Sequence, residues 1–281
     1  MKLIEQSAEI CKTHGYTLQD IYKDIERAAR VSYKSEDKIT EDSAEKMVQR
    51  LINMKHYSPL EFGTVYLEFD NIDKVQKYIN NPYSRVSGDC YVTTNYRVIV
   101  ENHWQQDLKY LVEPTKFHIR RITAHMITNR AVSHELVRHR SLSFMQESQR
   151  YCNYSKGKFN NELTFIYPVS MYSETISLHS VNSYIGFFTA AEEKYMELID
   201  KGWKPQEARI VLPNATKTEL YICGFEDDWD HFFDLRDRDT VDPQTHGLVT
   251  QLHLQYNALI AEMEGKLHKS EIGKKLESIY P

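Results

Sequence analysis

The chain has 281 residues, with 35 lysines and arginines against 40 aspartates and glutamates, a net charge of −5. Its isoelectric point near 6.2 counts against proteins that grip nucleic acid through many phosphates, which are usually basic overall. An apolar fraction of 41% supports a sizeable core, and a mean hydropathy of −0.58 marks a polar surface. The four cysteines, Cys11, Cys90, Cys152 and Cys223, show no CxxC spacing, which argues against a zinc ribbon and for reduced thiols in a cytosolic setting. The opening MKLIEQSAEI lacks an apolar signal core, and no stretch approaches the roughly 20 apolar residues needed to cross a bilayer. The expectation is a soluble, cytoplasmic protein without membrane or nucleic-acid partners, folded as one domain over residues 1–281.

Glycine and proline are sparse, 10 and 8, so long elements are expected. Thr17 caps a helix carrying Leu18, Ile21, Tyr22, Ile25 and Ala28 at helical spacing, and Glu41 to Met54 repeats the pattern. Gly63 to Asp70 alternates as a strand; Tyr91 to Val100 and Phe117 to Met126, rich in Val, Ile, Thr and Tyr, also read as strands. Asn129 or Ser133 can start a short helix. Thr175 to Lys201 reads as a long helix, with another beginning at Pro205. Ala215 to Cys223 reads as a strand, and Asp227 to Leu235 and Thr245 to Lys266 as helices. Strands and helices mix without regular βαβ alternation, which favours α+β: a mixed, largely antiparallel sheet flanked by long helices. No Gly-rich phosphate loop is present, so any nucleotide is held by side chains.

One stretch stands out. VRHRSLSFMQESQRY, Val137 to Tyr151, holds Arg138, His139, Arg140 and Arg150, the hydroxyls of Ser141, Ser143 and Ser148, and Gln146 and Gln149, with only Glu147 of opposite charge. A guanidinium presents a planar fork that matches phosphate or carboxylate, and serine hydroxyls complete such a cradle. Charge density alone says little, because cations at a helix C-terminus are favourable by about 0.3–1 kcal/mol without any ligand. The acidic run Glu226-Asp227-Asp228 reads as the start of a helix rather than a metal site, since a helix N-terminus favours negative charge. The 19 tyrosines with a basic stretch also suit stacking on single-stranded nucleic acid, against which the acidic balance weighs; core and interface packing is the simpler use.

The spacing of Arg138, His139, Arg140, Ser143, Gln146, Ser148, Arg150 and Tyr151 resembles the signature of the flavin-dependent thymidylate synthases. SPLEFGTVYLEF (58–69), EARIVLP (207–213) and FFDLRDR (232–238) resemble further segments of that family in the same order, so the resemblance covers about residues 50–260. It implies reductive methylation of dUMP to dTMP, with methylenetetrahydrofolate as carbon donor, NADPH-reduced FAD as hydride source, and a homotetramer whose active sites are shared between subunits. No cysteine attacks the uracil in that chemistry. The hard redox step belongs to the flavin, and the protein supplies positioning and field.

By the same resemblance, Arg138, His139 and Arg140 contact FAD, Arg138 also lying near the nucleotide, and Ser143 meets the phosphate side of the flavin cofactor. Gln146, Ser148 and Arg150 hold dUMP, Ser148 by binding rather than by attack. Arg209 reaches dUMP in a neighbouring subunit's site, and Arg236 sits by the uracil, where it stabilises charge developing on the ring.

The chain departs from the family pattern at several places. Phe62 stands where a histidine faces the flavin, and can stack on a flavin ring instead. Phe225 to Asp227 replaces an Asn-x-Arg, and Glu135 replaces a glutamine: a carboxylate accepts from a cytosine amino group, where a glutamine suits uracil's mixed edge. Met145 and His246 also differ. These changes lie mostly on the flavin side, so two alternatives stand beside reductive methylation: a flavin-free folate-dependent hydroxymethyl transfer to a pyrimidine deoxynucleotide, and a non-catalytic nucleotide-binding member.

Overall fold

A computed structural model describes the backbone of residues 1–172 and 177–279, and the side chains through residue 265 except that of Tyr172. The expected α+β class holds, with helices on both faces of largely antiparallel sheets. After β1 (Lys2–Ile4) and β2 (Ser7–Ile10) comes α1 (Leu18–Val31), opened by a reciprocal cap: the Thr17 side chain accepts from the Asp20 amide, and the Asp20 carboxylate accepts from the Thr17 amide. Helix α2 (Ser43–Asn53) packs against α1. Strand β3 (Thr64–Glu68), helix α3 (Gln76–Ile79), β4 (Arg85–Ser87) and β5 (Tyr91–Asn95) follow; β5 lies between β3 and β4 in a three-stranded antiparallel sheet. Ile25, Val48, Leu60, Val65, Leu67, Tyr78 and Ile99 form the core beneath it.

The main sheet has the order β2-β6-β9-β7 and is antiparallel throughout. It joins β6 (Arg121–Asn129), β7 (Ser143–Gln146) and the nine-residue β9 (Lys217–Phe225) to β2. Side chains alternate across it. Ile122, Ala124 and Met126 of β6, with Leu220 and Ile222 of β9, face α8 (Glu226–Arg236) and α9 (Pro243–Ile279), where Trp229, Phe232, Leu248 and Leu252 complete the core. On the opposite face Cys223 meets Ala28 of α1 and Phe62. A third core joins the parallel pair β1 and β8 (Thr164–Ile166) to α6 (Leu178–Asp200) and the short α7 (Pro205–Ala208). Among the described residues no helix is long and apolar enough to cross a membrane.

Three expectations shift. The strand from Tyr91 ends at Asn95, whose side chain accepts from the Val98 amide and caps α4 (Tyr96–Glu101); burial of Val98, Ile99 and Val100 outweighs their preference for strands. The strand expected from Phe117 begins at Arg121, because the Thr115 amide donates to His118 Nδ1 and the His118 amide to the Thr115 carbonyl, closing a turn. The long helix begins at Leu178, and Thr175 lies outside the described residues. The acidic run does open α8, where the Asp228 carboxylate accepts from the Phe225 amide at 3.3 Å. No group of His, Cys, Asp and Glu fit to hold a metal ion occurs among the described residues.

Candidate functional site

Asn129 ends β6 and caps α5 (Arg130–Leu136), its side chain accepting from the Val132 amide at 2.9 Å. The chain then turns through Arg138, His139 and Arg140 into β7. Leu142 anchors that turn. It is 5% exposed and lies over Gly224 of β9, where a Cβ would come within 2.2 Å of its Cδ2. Only a residue without a side chain lets the turn lie this close to the sheet.

The three residues of the Arg-His-Arg run face different surroundings. Arg138 and Arg140 are exposed, with no ion-pair partner among the described residues. His139 is buried, and its Nε2 accepts from Nε of Arg236 at 2.9 Å, which fixes it as a neutral ring. Burial, then the neighbouring Arg236 and His231, push its pKa down to about 4. The same guanidinium donates to Glu135 Oε2 at 3.1 Å and to the Glu135 carbonyl at 3.0 Å. Glu135, Arg236 and His139 thus form one fixed unit built from α5, α8 and the turn.

Gln146 ends β7 with its amide nitrogen donating to Ser133 Oγ and Thr218 Oγ1, both at 3.0 Å. Glu147 turns inward. It is 2% exposed, accepts from the Tyr154 hydroxyl at 2.9 Å and pairs with Lys217 Nζ at 2.9 Å. Lys217 also meets Glu219, which binds Lys34 at 2.9 Å and His125 at 3.3 Å. Burial opposes ionisation of Glu219, yet His125, Lys217 and Lys34 hold its carboxyl well below the usual range.

Ser148 faces the other way, into the roomiest cleft of the site, about 830 Å³, between α1, α2, the turn at Lys55 to Pro59, and β7. Its amide donates to the Ser32 carbonyl at 3.1 Å, tying the turn to the end of α1. Arg30, Lys38, Arg50, Lys55, His56 and Arg97 line the cleft, and no aspartate or glutamate does. Arg30 and Arg97 are held by carboxylates outside it; Lys38, Arg50 and Lys55 have no ion-pair partner among the described residues. Tyr33 and Tyr151 stack with ring centroids 4.7 Å apart and are half-exposed. Sequence reasoning missed this set, apart from Ser148, because it comes from segments some 50 to 120 positions upstream with no local pattern. His56, not expected at the site, stands in the Ser148 cleft.

Arg140 and Ser143 share a second cleft, about 260 Å³, with Arg85, Arg97, Arg121 and Phe225. Asp227, in the segment that departs from the family pattern, holds Arg85 at 3.2 Å, and the Arg85 guanidinium lies 4.5 Å from the Phe225 ring centroid. Phe62, expected against a flavin, is 2% exposed. It packs on Ala28 and Cys223 and lines not this cleft but another, between β2, α1 and β6, with little of its ring open. Arg209, exposed, lines a third cleft of about 650 Å³ with Arg130, His134, Gln149 and Trp203. Arg150 is exposed, its guanidinium 5.4 Å from the Tyr151 ring centroid. One chain therefore brings together Arg140 with Ser143, and Glu135 with His139 and Arg236, while Ser148 and Arg209 open into separate clefts.

Comparison with known proteins bears on the family of the chain. The chain is 36% identical over 108 residues to a flavin-dependent thymidylate synthase of Geobacter sulfurreducens, a match covering 38% of this chain and 44% of that protein. It is 33% identical over 121 residues to one of Pyrococcus furiosus, covering 38% and 42%. The matched stretch thus spans less than half the length of these relatives. A UMP/dUMP methylase, PolB of Streptomyces cacaoi, solved with 5-Br dUMP, superposes at a TM-score of 0.43 and 19% identity over 89% of this chain and 90% of that one, too loosely to place any residue. The profile of the thymidylate synthase complementing proteins matches residues 95–257, more than half of the chain and all of the basic signature, and the protein belongs to that family.

Proposed function

We propose that this protein transfers a one-carbon unit to C5 of a pyrimidine deoxynucleotide, as a flavin-dependent thymidylate synthase acting on dUMP in the cytoplasm, with methylenetetrahydrofolate and NADPH as co-substrates. The observation that carries the reading is the Ser148 cleft: Lys38, Arg50 and Lys55 line it without an ion-pair partner among the described residues, and no carboxylate lines it. Excess positive charge in a concave site is what a nucleotide phosphate or a folate carboxylate requires. Ser148, Arg150 and Arg138 bind the nucleotide. Arg209, in its own cleft, serves the site of a neighbouring subunit of a homotetramer, which accounts for its distance from Ser148 in one chain. Arg236, held by Glu135 and His139, is a preorganised cation that stabilises charge developing on the ring without reorganising.

The donors around Arg140 and Ser143 fit a diphosphate. Arg140 has no ion-pair partner among the described residues, Ser143 lines the same cleft, and the carboxylates that also line it, Glu61, Glu101 and Asp228, are held by Arg97 and Arg85. When bound there, a flavin supplies the hydride that turns the transferred carbon into a methyl group. A second reading follows from Asp227, which draws Arg85 into an ion pair at the rim of this cleft and weakens its hold on an anion. In that reading the transfer proceeds without net reduction and yields a hydroxymethyl product.

The visible spectrum of the purified protein, with FAD and then NADPH added without oxygen, tests the reading together with calorimetric titration of dUMP. A bound yellow flavin that bleaches with NADPH, and saturable dUMP binding, are expected. Binding of dUMP by a protein that never takes up FAD would move the flavin-free transfer to first place. Absence of both would sink the nucleotide reading.

A further inference from the structure

Arg121 also lines a separate cleft, about 310 Å³, at the end of β2, the turn before α1, the start of β6 and the middle of α9. No residue of the basic signature reaches it. Its charges do not balance. Lys12, Arg27, Arg120 and Arg121 face one carboxylate, Asp24. That carboxylate is already taken, by Thr13 Oγ1 at 2.7 Å, His14 Nδ1 at 2.7 Å and Arg27 at 2.8 Å. Arg120 donates only to the Pro114 carbonyl at 3.3 Å, and Arg121 to the Glu61 carbonyl at 2.8 Å and, marginally, to Thr64. Among the described residues Lys12, Arg120 and Arg121 have no carboxylate within ion-pair distance, the Glu226 carboxylate feeling the Arg120 charge from farther off.

Two further observations point to a ligand. Nε of Arg27 and Nε of Arg121 are both buried without an acceptor, a condition that native structures rarely leave unexplained. The walls suit a flat apolar group. Tyr16 and Tyr66 meet edge to face with centroids 5.9 Å apart, the Arg120 guanidinium lies 5.9 Å from the Tyr66 centroid, and Ile10, Ile122, Leu259 and Met263 add apolar surface. Burial holds the Cys11 thiol protonated, its pKa raised to about 12, so it adds no negative charge.

We propose that this cleft binds an aromatic organic anion, its phosphate or carboxylate head on Lys12, Arg120 and Arg121 and its ring between the tyrosines and the apolar wall. An uncharged aromatic leaves the cations unmatched, and an inorganic anion leaves the apolar wall wet, so each alone binds less well.

The test is a fluorescence titration of the intact protein with 1-naphthyl phosphate and with 1-naphthoate, beside 1-naphthol and inorganic phosphate. At least one naphthyl anion binds saturably, and about tenfold or more tighter than 1-naphthol or phosphate. Which anion binds tighter names the head group. Lys12→Glu, a change at a side chain with no partner to lose, weakens binding about tenfold or more, and Arg120→Ala does the same, with circular dichroism unchanged. Arg50→Ala, in the Ser148 cleft, leaves the affinity as it was. No saturable binding, or binding that follows Arg50 and ignores Lys12, overturns the proposal.

Discussion

Glu147 and Ser148 are neighbours in sequence with opposite surroundings. Glu147 enters a closed network in which Lys217, Tyr154, Glu219, Lys34 and His125 satisfy one another. Ser148 opens onto a cleft whose lining cations meet no carboxylate there. The first arrangement is complete within the chain and serves stability. The second is incomplete and calls for an anion from outside. Whether a charge is balanced from within the chain separates architecture from binding surface more clearly than its density along the sequence does.

The largest effect should come from breaking the closed side. Glu147→Ala leaves the buried Tyr154 hydroxyl without its acceptor and takes one of two carboxylates from Lys217, which keeps Glu219; removing one partner of a buried pair costs up to about 3–5 kcal/mol. Urea denaturation should show a loss of that size; a loss below about 1 kcal/mol would mean that the network is solvated. Next is pH. An unfolded histidine titrates near 6.5, whereas His139 in the fold is held down to about 4. Between these values the unfolded chain binds the extra proton, so stability falls as pH drops through this window and is fully present above it. The shift corresponds to about 3 kcal/mol. A His139→Gln variant should show a flatter stability curve between the two pH values, and an unchanged slope would mean that the ring is not buried neutral.

On the open side the effects move from stability to affinity. Arg150→Ala should weaken dUMP binding by about 1.5–3 kcal/mol, a typical charged hydrogen bond, with the fold intact; calorimetry showing equal affinity would displace the nucleotide from this turn. Smallest of all, Arg50→Ala should change folding stability by no more than about 0.5 kcal/mol. A larger loss would show that the Ser148 cleft is structural after all.

Much of the fold was legible from local rules. The Thr17 cap, the acidic start of α8 and the alternation of β3 each rest on residues a few positions apart. The strand read through Asn95 failed because a capping side chain inside a run of β-branched residues has the same composition as a strand, and only burial of Val98 to Val100 decides between them. The basic signature was legible as a cluster but not as a geometry. Glu147, read as the sole balance to its neighbours, balances Lys217 instead, 70 positions away. His56, Arg50 and Lys38 join Ser148 through the packing of β7 on α1 and the 58–62 turn, with the Ser148 amide bound to the Ser32 carbonyl, contacts without a sequence signature.

Gly224 gives the site a built-in ruler. Because the Leu142 side chain occupies the space where a Cβ would stand, the height of the Arg138–Arg140 turn above the sheet is set by a single hydrogen atom. Gly224→Ala would force Leu142, and with it the turn that carries Arg138 and Arg140, to move by about an ångström while removing none of the site's side chains. Catalysis that depends on sub-ångström alignment and binding that tolerates such shifts would then separate in one variant.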